Sequence, residues 1–546
     1  MTRSRLTRRD KLSSSSAIWN LLAAGLGFRG TIAYFLPAGF DEAYYFLYTK
    51  HLDWSYFDHP PAVAISTGIG LWLTGQVTPL TMRLGSLTLF TGSLWLMYQT
   101  GRQLFGERVG LLSCVITSLT PLFFIGVGTL TAPDNALIFF WSLALYLCSR
   151  EFFLIDEPAS DYIPSSRLTW ISLSVGLACL GKYHGFVLGL SLVAFCLTSN
   201  RYRRVFASKW LWLGVLVFGL SLFPIIYWNA GHDWISFRFQ LGDRFAAYEN
   251  QPRDRYSISA LLGVIAAQIG YLCPSIALPL WWVTFRKLFR KRADRLHKHL
   301  SQENIVAEKI NLLLWSGLPV AVGFTLVGGI THTFPAWPAP GLWSLSILLA
   351  HAASHWPSRA VSKWLKSTGW VLGVLLMFVL THISLGTLQK PSEYALFGGF
   401  VSAQADPSTE MIDAVQLRRR LGESDAFGAA IARSNFVITE DYWLSGYIAI
   451  AMPENIPKAT SLPVTSFSID PRGHAFWFDP AKHVGQNALL MGSTHKPQTE
   501  MLGRLSPYFE SITLIDEIST LRGDEPTETF YLYQATNLLK PYPYPY

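Results

Sequence analysis

The chain has 546 residues, half of them hydrophobic, 14% aromatic and only 15% charged. Soluble domains carry about 25% charged residues, so an ordinary soluble enzyme is excluded and a membrane protein is indicated. The formal charge of +8 sits in short basic stretches between apolar runs, the pattern that sets membrane orientation. No basic domain interleaved with aromatics accompanies it, which argues against nucleic acid as a partner.

A basic start (Arg3, Arg5, Arg8, Arg9, Lys11) precedes an apolar run over 17–37. It is longer than a secretory core and lacks a small-residue cleavage site, so it predicts an uncleaved anchor helix with a cytoplasmic N-terminus. Given about 20 residues per span, hydropathy predicts about eleven spans: 17–36, 78–98, 109–129, 135–148, 168–180, 186–198, 210–227, 258–283, 310–330, 337–351 and 367–388. The stretch 168–198 also reads as one long helix broken around Lys182. The run 61–75 looks shorter than a span. The basic loops after 102, 201, 286 and 359 fall on the N-terminal side only if it does not cross, so it is placed as a juxtamembrane helix at the outer face. All five cysteines (Cys114, Cys148, Cys179, Cys196, Cys273) lie in apolar runs without metal-ligand or CxxC spacing, so no zinc site or disulfide framework is expected; with neither a nucleotide loop nor an evident metal cluster in the sequence, no cofactor or metal is expected.

The expected fold class is therefore an α-helical polytopic membrane protein with outer-face juxtamembrane helices and a small C-terminal α/β soluble domain. The expected boundaries are 1–388 for the membrane domain and 389–546 for the extracytoplasmic one. Within the latter, 436–439 and 488–491 read as short buried strands, 442–452 as a helix and 530–534 as a late strand. The Pro-Tyr repeat over 541–546 reads as an extended, mobile tail.

Two stretches just after the first span carry the chemistry: Asp41-Glu42-Ala43-Tyr44-Tyr45 and Tyr56-Phe57-Asp58-His59-Pro60-Pro61. Charges at a membrane edge are costly when idle, so they mark function by default. Asp41, at a helix start, fits either an N-cap or a general base for a hydroxyl. Glu42, about 100° around the helix, faces elsewhere and tunes or orients. Tyr44 and Tyr45 fit either an interfacial girdle or a stacking platform for a sugar. His59, held extended by the following proline, suits a phosphate or the orienting of a base beside Asp58. The predicted topology places Asp134 on the same outer side, giving two acidic patches one aqueous cavity. Lys182 lies at a Gly-flanked break in apolar sequence, where it snorkels to the interface or meets an anion. Arg238 and Arg244, in an outer loop, carry fork-shaped donors suited to phosphate, although each alone is an ordinary solvated charge.

In combination these stretches resemble the bacterial polyprenyl-phosphate-sugar glycosyltransferases of the GT-C superfamily, alongside the protein O-mannosyltransferases and the lipid A aminoarabinose transferase. His51-Leu52-Asp53-Trp54, Thr131–Trp141, Leu180–Gly185 and Trp228–Arg238 add to the match, which covers the first 350 residues or so. The resemblance implies a multi-pass protein of the plasma (inner) membrane, with a catalytic Asp at the outer face carried over to Asp41 and a second acid carried over to Asp134. The expected reaction moves a sugar from a polyprenyl-phosphate donor to a hydroxyl of a lipid, glycan or protein acceptor, with inversion. Asp41, Glu42 and Asp134 form the expected catalytic set, and His59, Lys182, Arg238 and Arg244 the donor-phosphate set. Tyr44, Tyr45 and Asp58 are expected to face sugar or acceptor. The alternative is a transporter or flippase of lipid-linked glycans, for which polar groups should lie near the bilayer midplane on broken helices.

Overall fold

The computed structural model describes residues 8–154, 162–243, 256–294, 302–331, 333–334 and 336–546. Among these residues it is mostly helical, with two small sheets in the C-terminal part. The chain divides into two compact units: Met1–Thr31, His59–Ser66 and Gly85–Leu372 form the first, and Ile32–Asp58, Thr67–Leu84 and Gly373–Tyr546 the second.

Among the described residues, the first unit is built almost wholly of helices and the short connections between them. Its core gathers Leu137, Trp141 and Leu145 with Leu342, Trp343 and Leu345, all essentially buried. The polar edge of Trp141 is satisfied there, because its indole N–H donates to Ser344 Oγ at 2.9 Å. Helices Gln302–Val327 and Ala339–Ala353 approach backbone to backbone through glycines. A Cβ on Gly341 would stand 2.3 Å from the Gly317 carbonyl oxygen, the close packing that small residues permit between membrane helices.

Among the described residues, two helices are individually long and apolar enough to cross a membrane, Ile305–Val327 and Ser358–Leu385. Three bent pairs, each counted as one span, raise that to five. The bends show that two of the expected spans are not single straight helices. The stretch 258–283 is two helices, Ile258–Leu272 and Pro274–Asp294, bent by 114°. Cys273 between them has φ 68°; a residue before proline is pushed out of the helical region, which ends the first helix there. The stretch 210–227 likewise divides into Lys209–Ser221 and Phe223–Ala230, bent by 44°, with Pro224 in the first turn of the second. Over 168–198 the broken arrangement is found: helices Arg167–Gly181 and Gly185–Thr198 flank Lys182, whose backbone is extended. The stretch 61–75 is a helix of 13 residues, Ala62–Thr74.

The second unit holds a short parallel pair, β1 (Gln389–Lys390) with β2 (Val401–Ser402), and a five-stranded sheet. The latter comprises β3 (Phe436–Thr439), β4 (Val464–Ser466), β5 (Ala488–Ser493), β6 (Phe509–Arg522) and β7 (Glu525–Leu538), in the order β4-β3-β5-β7-β6. Strands β3 to β5 run parallel, and every residue of β3 and β5 is buried, as expected of parallel strands covered on both faces. Gly523 (φ 56°) and Asp524 (φ 62°) join β6 to β7, and two consecutive positive φ values suit a tight hairpin. The strand and helix expected over 436–439 and 442–452 are present as β3 and Tyr442–Ala451.

The tail over 541–546 is extended and, contrary to the expectation of a free tail, packed against the rest of its unit. Its tyrosines recur with the strand period of two, so they share one side. Tyr542 stacks on Phe467 at 4.7 Å, Tyr544 shares a 3.0 Å hydrogen bond with Thr465, and the Tyr546 hydroxyl donates to Asp470.

Candidate active site

The helix Phe40–Lys50 begins at Gly39, which has extended backbone and no side chain with which to cap. Glu42 supplies part of what is missing: its Oε2 accepts the Gly39 N–H at 2.9 Å, the reach-back half of a capping box. Asp41 lies in the same first turn and is exposed. Negative charge is favoured at that end of a helix. Two adjacent acids thus differ in surroundings, one facing solvent and the other sealed in protein.

Glu42 is only 3% exposed, and its partner is Arg83. The guanidinium donates from Nε to Oε1 at 2.8 Å and from Nη2 to Oε2 at 2.6 Å. Its remaining donors reach the carbonyls of Ala33, Leu36 and Pro37 at 3.0, 2.6 and 2.8 Å. These are the last carbonyls of the preceding helix and of the connection, which have no partner within the helix itself. One arginine therefore fixes the end of one helix and the start of the next, and with them the position of Asp41.

Around this start the aromatics are interior. Tyr44 is fully buried and Tyr45 nearly so; Tyr44 packs edge-on to Tyr48 and Tyr442, and its hydroxyl accepts the Gly473 N–H at 2.9 Å. The Tyr48 hydroxyl donates to Asp58 Oδ1. Asp58 Oδ2 accepts from Arg472 Nη1 at 3.2 Å, and that guanidinium lies 3.8 Å over the Tyr442 ring. Tyr44, Tyr45 and Asp58 thus form a packed polar-aromatic block within the second unit rather than an open platform.

In the first unit, Asp134 lies in the first turn of helix Pro133–Phe152. Lys182 Nζ, from the break described above, donates to both of its carboxylate oxygens, at 3.1 and 2.8 Å. Both residues are buried. Beside them Asn135 accepts from Ala132 N–H and Ser86 Oγ and donates to the carbonyls of Val127 and Leu130. His59 is also buried and belongs to this unit. Arg238 ends the short helix Ile235–Arg238 and is exposed. Its loop is pinned by Asn229, which accepts from Ser236 N–H and donates to the Ile225 carbonyl. Arg244 lies outside the described residues.

The structure joins Asp134 to Lys182 and separates Asp41 from Glu42 by environment. Arg83 and Arg472 are the charged partners of candidate site residues that sequence reasoning missed. Arg83 carried a usable signal, a lone arginine inside the apolar run 78–98, where a charge requires a partner. Arg472 had no such mark, being one charge in a polar segment 414 residues from Asp58.

A family model described as dolichyl-phosphate-mannose-protein mannosyltransferase matches residues 58–228. A lipid A galacturonosyltransferase of Rhizobium johnstonii, RgtD, is 24% identical over 348 residues, which are 63% of this chain and 64% of that protein. The chain thus spans slightly less than two thirds of that relative's length. Among solved structures, ArnT of Cupriavidus metallidurans in the apo state is similar with a TM-score of 0.56 and 15% identity, covering 95% of this chain and 98% of that one. The same protein bound to undecaprenyl phosphate gives a TM-score of 0.53 at 15% identity, covering 94% and 97%. The fold is therefore that of ArnT.

Proposed function

We propose, for a chain of the GT-C superfamily of polyprenyl-phosphate-sugar glycosyltransferases, that it transfers a sugar from a polyprenyl monophosphate to a hydroxyl acceptor at the outer face of the membrane. In this reading Asp41 takes the proton of the acceptor hydroxyl as its oxygen attacks the anomeric carbon. The bond from that carbon to the phosphate oxygen breaks, the new glycosidic bond forms on the opposite face, and polyprenyl monophosphate leaves. The leaving group is already an anion, so it needs positive charge more than a proton. Lys182, with His59 and Arg238, is assigned to that phosphate. The names of the relatives support a polyprenyl phosphate as donor carrier and a lipid A-type glycolipid as acceptor.

The observation that carries the reading is the contrast at the helix start: Asp41 is exposed and Glu42 beside it is locked to Arg83. A general base needs access to substrate and a fixed position. Asp41 has the access, and Arg83 and Glu42 provide the position. Glu42 is accordingly proposed as a positioning residue. Asp134 is proposed to hold the Lys182 ammonium.

The test is mass spectrometry of envelope lipids and glycans from a strain lacking this chain. A species one sugar lighter should accumulate, be restored by the wild-type chain and not by Asp41→Asn, with the variant present in the membrane at wild-type level. Full restoration by Asp41→Asn would remove Asp41 from its role.

A further inference from the structure

Helix Ser358–Leu385 has 28 residues, and its most apolar window is only 11% buried by protein, so that apolar surface is left uncovered, as suits a helix in contact with lipid. In the part belonging to the second unit, Val374, Leu375 and Met377 are exposed. Gly386, with φ 69°, ends the helix, its N–H returning to the His382 carbonyl at 2.8 Å. Only a residue without a Cβ takes this left-handed cap cheaply. The chain does not then leave for the sheet. It makes a loop whose return is tied to the helix end. Leu396 N–H donates to the Thr387 carbonyl, Phe400 N–H to the Leu388 carbonyl, and β1 pairs with β2.

This fastened loop holds its apolar side chains outward. Tyr394, Leu396, Phe397 and Phe400 are all exposed, Phe397 to 94%. Phe397 also has φ 55°, and Gly398 and Gly399 follow with φ 81° and 79°. A bulky residue in the left-handed region is strained, and the strain here presents a phenyl ring to the surroundings instead of burying it. The base is also tied by polar contacts. His382 Nε2 lies 2.9 Å from Asp406 Oδ2, Arg522 Nη1 lies 2.9 Å from Ser408 Oγ, and the Leu388 N–H donates to His382 Nδ1. Four clustered exposed apolar side chains signal an interaction surface. Aromatic rings at the end of a membrane helix are suited to the headgroup–acyl boundary.

We infer that the loop Glu393–Phe400 dips into the bilayer surface beside the end of helix Ser358–Leu385 and serves as a second membrane contact for the C-terminal unit. The occupant of this surface is lipid, because the loop follows a long apolar helix that protein leaves uncovered and is hydrogen-bonded to Thr387 and Leu388 just beyond its end. The inference stands apart from the catalytic proposal, since neither Asp41 nor the donor enters it.

The test uses the full chain in vesicles of phosphatidylethanolamine and phosphatidylglycerol, with Phe397→Cys carrying a nitroxide spin label. Leu375→Cys on the helix and Val484→Cys, exposed in the C-terminal unit, are controls. Signal from the native cysteines, four of them buried, is measured on the unsubstituted chain and subtracted. The ratio of oxygen accessibility to that of a water-soluble relaxing agent should place position 397 with Leu375→Cys. A ratio matching Val484→Cys overturns the inference. So does low accessibility to both reagents, which would mean that protein covers the loop. Phe400→Cys, measured in the same way, guards against a label that disturbs the strained position.

Discussion

Arg83 and Glu42, 41 residues apart in sequence, face each other through two charge-assisted hydrogen bonds of 2.8 and 2.6 Å with neither side chain open to solvent. The guanidinium also holds three carbonyls that no helix bond can reach. A buried ion pair of this kind is weak evidence for net stability but strong evidence for a fixed geometry, since losing either partner leaves a charge stranded. What it fixes is the turn that carries Asp41.

Arg83→Ala is therefore expected to cost about 3–5 kcal/mol, the range for breaking a buried pair. Arg83→Lys should recover little, because an ammonium cannot serve a carboxylate and three carbonyls in the plane of a guanidinium. Chemical unfolding of the purified chain measures both. A lysine variant as stable as wild type would show that charge alone, and not the fork, holds this turn.

The Lys182–Asp134 pair allows structural and catalytic roles to be separated. Lys182→Met strands the buried Asp134 carboxylate and should destabilise the chain, whereas Lys182→Met with Asp134→Asn removes both charges and should restore most of the stability. If Lys182 serves the donor phosphate, sugar transfer stays low in the double variant although stability returns. Unfolding midpoints and transfer rates on the same preparations decide this. Wild-type transfer by the double variant would reduce the pair to a structural tie.

Residues whose local chemistry was distinctive were legible from sequence, and those defined by distant partners were not. Asp41 and Asp134 stood out because each is an acid at a helix start beside apolar sequence. The strand 436–439 was legible because the apolar run Phe436-Val437-Ile438, ending in β-branched residues and bounded by polar ones, has few other uses. The bend at Cys273 could have been read from Pro274, but a hydropathy window averages over a single proline. Tyr44 and Tyr45 fitted both a girdle and a platform, because sequence shows the ring and not what covers it. The pairing of Asp58 with Arg472 depends on the fold of the C-terminal unit and left no periodic trace.

Gly446 marks the closest approach of helix Tyr442–Ala451 to helix Phe40–Lys50. A Cβ there would lie 2.2 Å from the Ala43 carbonyl oxygen, and the Tyr447 hydroxyl next to it donates to the Ala38 carbonyl at 2.7 Å. Backbone cannot yield as a flexible side chain does, so Gly446→Val should cost at least the ~1–3 kcal/mol typical of overpacking. It should also lower transfer by shifting the turn of Asp41, while Gly503→Val, at a glycine with open space, leaves transfer unchanged. Equal transfer by both variants would show that this contact does not position the site.

Glu440, just past the end of β3, gives the C-terminal unit a specific pH response. It is 1% exposed, and its Oε1 accepts from Ser493 N–H and Oγ at 3.0 and 3.2 Å. Burial pushes its carboxyl up from 4.5 to about 7, helped by the neighbouring charge of Asp441 and opposed by the Ser493 bonds and Lys496. The folded chain therefore holds this proton where the unfolded chain has lost it. By linkage the resulting stabilisation is fully present below about pH 4.5, declines as pH rises and is gone above about pH 7. The decline amounts to about 3 kcal/mol, since each of the roughly two and a half pKa units is worth 1.36 kcal/mol. Glu440→Gln keeps the acceptor and cannot ionise, so its unfolding midpoint should fall less than that of wild type between about pH 5 and pH 7.5. Parallel pH profiles for the two chains would mean that another group carries the response.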